Sequence, residues 1–461
     1  MFALKLPRIK LSRKLLLFVS IAMLIAVIMV AVSVVRPSAA ATDTDDEIVV
    51  NFGDQASSMY VHWRGPDTTI SYGTDSSYGS SATASPPAIT PVDITGPFWE
   101  VKLDSLTAGT LYHYKIGQGA DHTFKTAPTG DFTWADIGDT GTTFKDPAAG
   151  PECATPWLAD HWQQIADEHP DFVTHGGDIS YANKCGVGSV HQFFQDIKPL
   201  STTAAMEFAW GNHEYGGTTS PPAPKGTPPD RLANYKGRLT MPNAQVLSSD
   251  TATRLTHPGC PAVAPGTGNS CQGNDWGWFD AGGIRFFLWP EGGEPKSVVD
   301  AEAGSDPIMH AAQDDPNIRM IVIVAHRPVV SSITAELPLR AELNKAMDTL
   351  HGKYSKLRLY IGHHLHGAEV MAPRNGVTYL MDGGGGVEEV KFPASAKAYE
   401  TAGSLFHSSH PSHLLGTVSG NTMTLQYICG PVFGRNPNAD ACTPGDVMYS
   451  LNLDLPAVPG K

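Results

Sequence analysis

The chain is short of charge, and within its charge short of base. Only 17% of its 461 residues are charged, with 32 Lys and Arg against 46 Asp and Glu, for a net charge of −14. A nucleic-acid surface needs a basic stripe, and this balance argues against one. The deficit deepens in the body of the chain. Residues 1–40 carry Lys5, Arg8, Lys10, Arg13, Lys14 and Arg36 and no acid, so removing them takes the charge from −14 to −20. A small anionic substrate would therefore need local positive charge, which bound metal ions can supply. Cysteine is also scarce: there are six, none before Cys153 and none in C-x-x-C spacing. That argues against a zinc-thiolate site. No internal repeat is visible, which argues against a solenoid.

What is present begins with the N-terminus. The uncharged apolar stretch from Leu15 to Val35 follows a basic segment and precedes Ser38-Ala39-Ala40, a small-residue cleavage pattern. Residues 1–40 read as a signal peptide. The stretch is also long enough to span a bilayer as an uncleaved anchor. Either way the body lies outside the cytoplasm, and a membrane is a partner only in the second case. The even cysteine count fits disulfides in an oxidising compartment. Cys260–Cys271 and Cys429–Cys442 are the local pairs, leaving Cys153–Cys185, one of fifteen connectivities.

The length exceeds one compact core and predicts two domains plus extensions. Residues 41–46 read as a polar linker. From 47 to 127, Met59, Val61 and Trp63, and again Tyr112, Tyr114 and Ile116, alternate with more polar neighbours between turn-rich stretches. Period-two alternation predicts a small antiparallel β-sandwich, a packing or positioning module. Residues 76–91 read as a loop or ragged edge. From about 130 to 455 apolar strands alternate with helices, an α/β pattern. Strand candidates are Phe132–Ile137, Phe172–Thr174, Glu207–Trp210, Ile284–Trp289, Met320–Val324, Leu357–Ile361, Val377–Met381 and 421–428. Thr155 and Pro156 predict a helix start as N-cap and first residue. Gly352 predicts the end of a helix bearing Leu339, Leu343, Met347 and Leu350. From Tyr215 to Gln272 there is almost no regular pattern, as in a long functional loop.

Five short motifs carry the chemistry. They are Gly138-Asp139-Thr140-Gly141, Gly177-Asp178-Ile179-Ser180-Tyr181, Gly211-Asn212-His213-Glu214, Val324-Ala325-His326 and His363-His364-Leu365-His366. Each sets an oxygen or nitrogen ligand at the end of an apolar strand candidate. In this order they read as a two-metal phosphoester hydrolase. Asp178 is the best candidate for the carboxylate that bridges two ions. Asp136 lies inside its strand and is expected to face solvent or a neighbour. His364 and His366, two apart on an extended segment, share a face, which favours them over His363 with His366. His175 reads as either a support to the site or a structural residue. The His-rich stretch 406–413 reads as a solvated loop, or else as lining the substrate side.

These motifs resemble the metallophosphoesterase superfamily and, more narrowly, the purple acid phosphatases in their plant-like two-domain form. The resemblance implies a fibronectin-type sandwich over 47–127 and a four-layer αββα catalytic domain over 130–455. Asp139-Thr140-Gly141 lacks the histidine that many relatives carry there, while Tyr181 stands where the purple enzymes bind ferric iron. The resemblance implies Fe(III) held by Asp139, Tyr181, His366 and Asp178. It also implies a divalent Fe, Zn or Mn held by Asn212, His326, His364 and Asp178. His213 would contact phosphate and protonate the leaving group, with Glu214 orienting it. The fifth motif departs from the family's Gly-His-x-His, with His363 where Gly is expected. Gly367-Ala368-Glu369 replaces the usual aromatic-acid-basic run, which bears on substrate selectivity.

The function implied is an exported acid phosphatase acting on small phosphate monoesters through hydroxide formed on the ions. A phosphodiesterase or nucleotide pyrophosphatase would use the same chemistry. A non-catalytic cell-surface binding protein would need a broken ligand set, and all seven ligand positions are filled.

Overall fold

The structure is a computed structural model. It describes residues 42–461 apart from 88, 92–93, 144–152, 154, 215–231, 246–273, 290–294, 335–336, 388–391, 394, 432–441 and 458–461. The proposed signal or anchor segment, most of the long loop and the Cys260–Cys271 pair therefore lie outside the described residues. No described helix is long and apolar enough to cross a membrane. Asp43–Lys461 form one compact unit.

Seven short strands come first: β1 (Asp46–Phe52), β2 (Met59–Arg64), β3 (Thr69–Gly73), β4 (Ser80–Thr83), β5 (Phe98–Leu103), β6 (Leu111–Ile116) and β7 (His122–Lys125). They form two antiparallel sheets, ordered β1-β2-β5 and β4-β3-β6-β7. The alternation read from the sequence is realised here. Met59, Val61, Trp63, Tyr112, Tyr114 and Ile116 are all buried. β4, in the stretch read as a ragged edge, is an edge strand with mostly exposed residues.

The remaining chain builds two larger sheets. It runs through β8 (Phe132–Ile137), α1 (Leu158–Asp167), β9 (Phe172–His175), α2 (Ala182–Cys185), α3 (Val187–Asp196), α4 (Lys198–Ser201), β10 (Ala205–Phe208) and α5 (Ala233–Lys236). It continues through β11 (Gly277–Ala281), β12 (Ile284–Trp289), α6 (Pro295–Asp314), β13 (Met320–Ala325), α7 (Leu337–Lys353), β14 (Leu357–Gly362), β15 (Ala368–Arg374) and β16 (Val377–Asp382). It ends with α8 (Ala396–Ala402), β17 (Ser404–Ser408), β18 (Ser412–Ser419), β19 (Thr422–Cys429) and β20 (Val447–Asp454). One sheet has the order β10-β9-β8-β18-β19-β20 and the other β11-β12-β13-β14-β16-β15-β17. Within them β8, β9 and β10 are parallel, as are β12, β13, β14 and β16.

Burial explains the layers. Strands covered on both faces must be apolar throughout, and every residue of β12, β13 and β16 is buried. Trp134, Phe172, Phe286, Val322, Leu414 and Leu425 pack together between the two sheets. Leu158, Trp162, Ile165 and Phe193 cover the outer face of one sheet. Met309, Leu343, Met347 and Leu350 cover the other. The result is the expected mixed α/β core with four layers, preceded by an antiparallel sandwich.

Three local expectations are corrected. α1 starts at Leu158 with Trp157 as N-cap and no side-chain cap, so Thr155 and Pro156 lie in the turn before it. There the Thr155 carbonyl accepts the Leu158 N–H at 3.1 Å. β10 ends at Phe208 rather than Trp210, because the chain then turns toward the third motif. Gly352 lies inside α7, which runs one residue further.

The sandwich is bonded to the strand that leads into that motif. The Asn51 side chain donates to the Met206 carbonyl. The Phe52 N–H donates to Glu207 Oε1 at 2.6 Å. Arg238 pairs with Glu47 at 2.5 Å, both side chains about 1% exposed.

Candidate metal centre

All five motifs meet at one end of the two sheets. Asp139 follows β8, Asp178 follows β9, Asn212 follows β10, His326 follows β13, and His364 and His366 follow β14. Ligand sites in open α/β sheets collect beyond the carboxyl ends of parallel strands, because loops there converge on one crevice. Turning sharply out of a strand requires unusual backbone. Asp139 (φ 56°), Asp178 (φ 53°), Tyr181 (φ 53°) and His364 (φ 67°) all adopt the left-handed region. Such strain persists only where the surroundings over-determine it. Gly211 is needed for close approach, since a Cβ there would lie 2.2 Å from Asp178 Oδ1.

Two clusters of ligand atoms result, each within 4.8 Å: Asp139, Asp178 and His366, and Asp178, His326 and His364. Asp178 belongs to both. Tyr181 OH joins the first, 3.1 Å from His366 Nε2 and 3.4 Å from Asp139 Oδ1. Asn212 Oδ1 joins the second, 3.0 Å from His326 Nε2. His364 Nδ1 lies 3.1 Å from the same nitrogen. All seven expected ligands are thus brought together, in the two sets the resemblance implies. His363 is not among them.

Electrostatics describe a site short of positive charge. Burial pushes Asp139 well above the usual carboxylate range, and the charge on Asp178 adds to it. Burial also works against ionised Asp178, but His326 and His213 together outweigh it and hold this carboxyl low. Burial raises the Tyr181 phenol well above its ordinary value, helped by Asp178 and Asp139. Burial lowers His326 to about 4 against the pull of Asp178. Packed carboxylates, a phenol and imidazole nitrogens facing one another are poor neighbours alone and good ones around cations. The donor set fits two ions, with the phenol suited to a hard trivalent one.

The supports differ from expectation in part. Glu214 does not orient His213. Its carboxylate accepts the backbone N–H groups of Asp178 (2.8 Å), Ile179 (2.8 Å) and Gly211 (2.7 Å), tying the second motif to the third. Burial, then the charge on Asp178, pushes Glu214 up to about 8. His213 is instead held by Asn183 Oδ1, 2.8 Å from its Nδ1, and by a tilted ring contact with Tyr181 at 4.3 Å between centroids. Its Nε2 lies 3.8 Å from Asp178. The disulfide Cys153–Cys185 forms and packs against Tyr181 with Val387. Cys429–Cys442 forms as well, distant in sequence from the motifs.

Several residues escaped sequence reading. Asn183 carries no signal beyond its place two residues after Tyr181. Arg327 Nη1 lies 2.9 Å from His364 Nε2, though its position next to His326 was visible. Of the two places expected for Asp136, solvent or a neighbour, the structure gives the neighbour: it is fully buried and bonded to His363. His175 is fully buried, its Nε2 3.1 Å from the Thr140 hydroxyl in the first motif. The His-rich stretch is not a solvated loop. His410 and His413 are buried, with His413 between His161 and Glu168, because β17 and β18 carry the segment into the sheets.

Comparison with known proteins agrees with this fold. A family model described as the N-terminal domain of purple acid phosphatase matches residues 46–134. A protein of Arabidopsis thaliana described as "probable inactive purple acid phosphatase 9" is 27% identical over 150 residues, covering 29% of this chain. The matched stretch spans only 23% of that relative's length. Among solved structures, the purple acid phosphatase PPD1 from yellow lupin (Lupinus luteus) superposes with a TM-score of 0.65 at 17% identity, over 89% of this chain and 74% of that one. A structure of PhoD gives 0.60 at 12% identity, over 90% and 92%. The chain therefore resembles purple acid phosphatases in its N-terminal part by sequence and over most of its length by fold.

Proposed function

We propose that, on its purple acid phosphatase-like fold, the chain is an exported two-metal acid phosphatase that releases inorganic phosphate from small monoesters. The observation that carries this reading is Asp178, whose carboxylate belongs to both ligand clusters. A two-ion phosphoesterase needs such a bridge. In this reading Asp139, Tyr181, His366 and Asp178 hold Fe(III), and Asn212, His326, His364 and Asp178 hold a divalent Fe, Zn or Mn. When bound, the two ions supply Lewis acidity toward phosphoryl oxygens and lower the pKa of water.

The chain's own groups orient substrate and move the proton. His213, the proposed catalytic residue, is fixed by Asn183 at Nδ1, leaving Nε2 on the Asp178 side of the ring. Protonated, it donates to a phosphoryl oxygen and then to the departing alkoxide, which is general-acid catalysis. Glu214 is a positioning residue: by holding three N–H groups it sets the distance between Asp178 and the Asn212 turn. Residues 1–40 deliver the chain out of the cytoplasm, where the disulfides form.

Metal analysis with a visible spectrum tests this reading. Two ions per chain, one of them iron, with a charge-transfer band lost in Tyr181→Phe, are expected. Two ions without that band would remove Tyr181 from the ligand set. No ions after reconstitution would sink the hydrolase reading. Turnover of an aryl diester exceeding that of the matching monoester would favour the phosphodiesterase or nucleotide pyrophosphatase.

A further inference from the structure

Beneath the two ligand clusters lies a second polar group that the function above does not use. Asp136, His363 and Asp382 are all fully buried. Their ligand-type atoms lie within 4.8 Å of one another. They come from three elements: β8, the turn after β14, and the end of β16.

His363 is held at both ring nitrogens. Nδ1–H donates to the Ala325 carbonyl at 2.8 Å, and one proton lies between Nε2 and Asp136 Oδ2 at 2.9 Å. Asp136 is fixed in turn by the Thr174 hydroxyl at 2.5 Å. Asp382 accepts the Leu414 N–H at 3.0 Å. The backbone has been cleared for this ring. A Cβ at Gly138 would lie 2.4 Å from His363 Cδ2, and one at Gly176 would lie 1.8 Å from Nδ1. Both glycines belong to the segments that deliver Asp139 and Asp178. A buried imidazole held at both nitrogens has one orientation.

That orientation is transmitted along the backbone. The His363 N–H donates to the His326 carbonyl at 2.6 Å, and the His363 carbonyl accepts the Leu365 N–H at 2.7 Å. The next residue, His364, is left-handed, and its N–H donates to Asp139 Oδ2 at 2.7 Å. We propose that His363 is a positioning residue: anchored by Asp136 and the Ala325 carbonyl, it sets the turn that presents His364 to the Asp178–His326 cluster. The inference rests on the two-metal reading and adds to it a support on which the ion held by His364 depends more, since Asp139 of the other set, though it accepts the His364 N–H, keeps its own backbone bond to the Gly177 carbonyl at 3.0 Å. A third metal ion held by Asp136, His363 and Asp382 is the alternative that the experiment below distinguishes.

The test is chelator competition for the divalent ion together with the visible spectrum of the full mature chain. In His363→Ala the divalent ion should bind roughly 10–100-fold more weakly, as for lost outer supports of metal ligands, while the iron band remains. Asp136→Asn, whose amide N–H can still donate to Nε2, should keep wild-type affinity. If the alanine chain does not fold, His363→Gln carries the same expectation, since it fills the space but cannot reach both partners as the ring does. Wild-type affinity in the alanine or glutamine chain would overturn the proposal. So would loss of both ions in parallel with a lowered thermal midpoint, the mark of general destabilisation. Three ions per wild-type chain and two in His363→Ala would replace it with a metal site. A wild-type chain without two ions would sink this proposal together with the function above.

Discussion

Glu207 offers a quantitative test of how the sandwich is joined to the core. Its carboxyl is fully buried; Oε1 accepts the Phe52 N–H, and no hydrogen-bond partner is found for Oε2. Burial pushes its pKa from 4.5 up to about 8. A raised folded pKa means the folded state prefers the protonated form. The contribution to stability is fully present below pH 4.5 and is lost as pH rises through about 8. With 1.36 kcal/mol per unit, ionisation costs roughly 1 kcal/mol at pH 5 and roughly 4 at pH 8, a difference of about 3 kcal/mol. Glu207→Gln keeps an oxygen for Phe52 and cannot ionise. Its amide N–H adds a penalty of about 1–3 kcal/mol if unpartnered, but at every pH alike. Urea unfolding of both chains after metal removal, at pH 5 and pH 8, isolates the effect because every other titrating group is common to both. The variant should gain about 3 kcal/mol on the wild type between the two conditions. A difference that stays constant with pH would refute the reasoning and mean that water or a rearranged partner solvates the carboxylate.

Four further outcomes are expected. Asp178→Asn should lower affinity for both ions at once, since the carboxylate is shared, and metal content by mass spectrometry checks it; loss of one ion alone would contradict a bridge. His213→Ala should keep both ions and lose roughly 10²–10⁴ in turnover, most on poor leaving groups, and Asn183→Ala should follow in the same direction with a smaller loss. A series of aryl phosphates reads both, and a loss independent of leaving-group pKa would count against proton donation. Arg238→Met should destabilise the chain by about 3–5 kcal/mol, because it leaves Glu47 charged in a buried place, as thermal or urea unfolding will show; a change under about 1 kcal/mol would mean His191 and Arg64 compensate.

The parts legible in the sequence were those with local causes. Strands buried on both faces read as apolar runs, so β8 and β12 matched at both ends. Ligands could be placed because a strand ending in Gly-Asp or Gly-Asn leaves a polar side chain at the crevice. Of the cysteine pairs, Cys429–Cys442 followed from local spacing and Cys153–Cys185, the pair left over, is packed behind Tyr181, while Cys260–Cys271 lies outside the described residues. What could not be read depends on contacts far apart in the chain. Asp136 was expected to face solvent or a neighbour, and the neighbour could not be named because His363 lies 227 positions away. Glu214 looked like a neighbour of His213, yet its carboxylate turns back to three N–H groups of two other turns. The histidines of 410–413 looked solvated because polar residues usually are, and only the sheet that buries them says otherwise.

The four left-handed ligand residues bear on how activity and stability trade against each other. Backbone of this kind costs of order 1–3 kcal/mol per residue, and aspartate and asparagine tolerate it better than most. Replacing Asp139 or Asp178 by asparagine therefore changes ligand chemistry with little change in backbone cost. Alanine there would mix the loss of a ligand with extra strain and overstate what the carboxylate contributes. At Tyr181 the asymmetry runs the other way. Glycine would relieve the backbone while removing the side chain, so a chain selected only for thermal endurance could drift toward glycine at a position of the proposed ligand set.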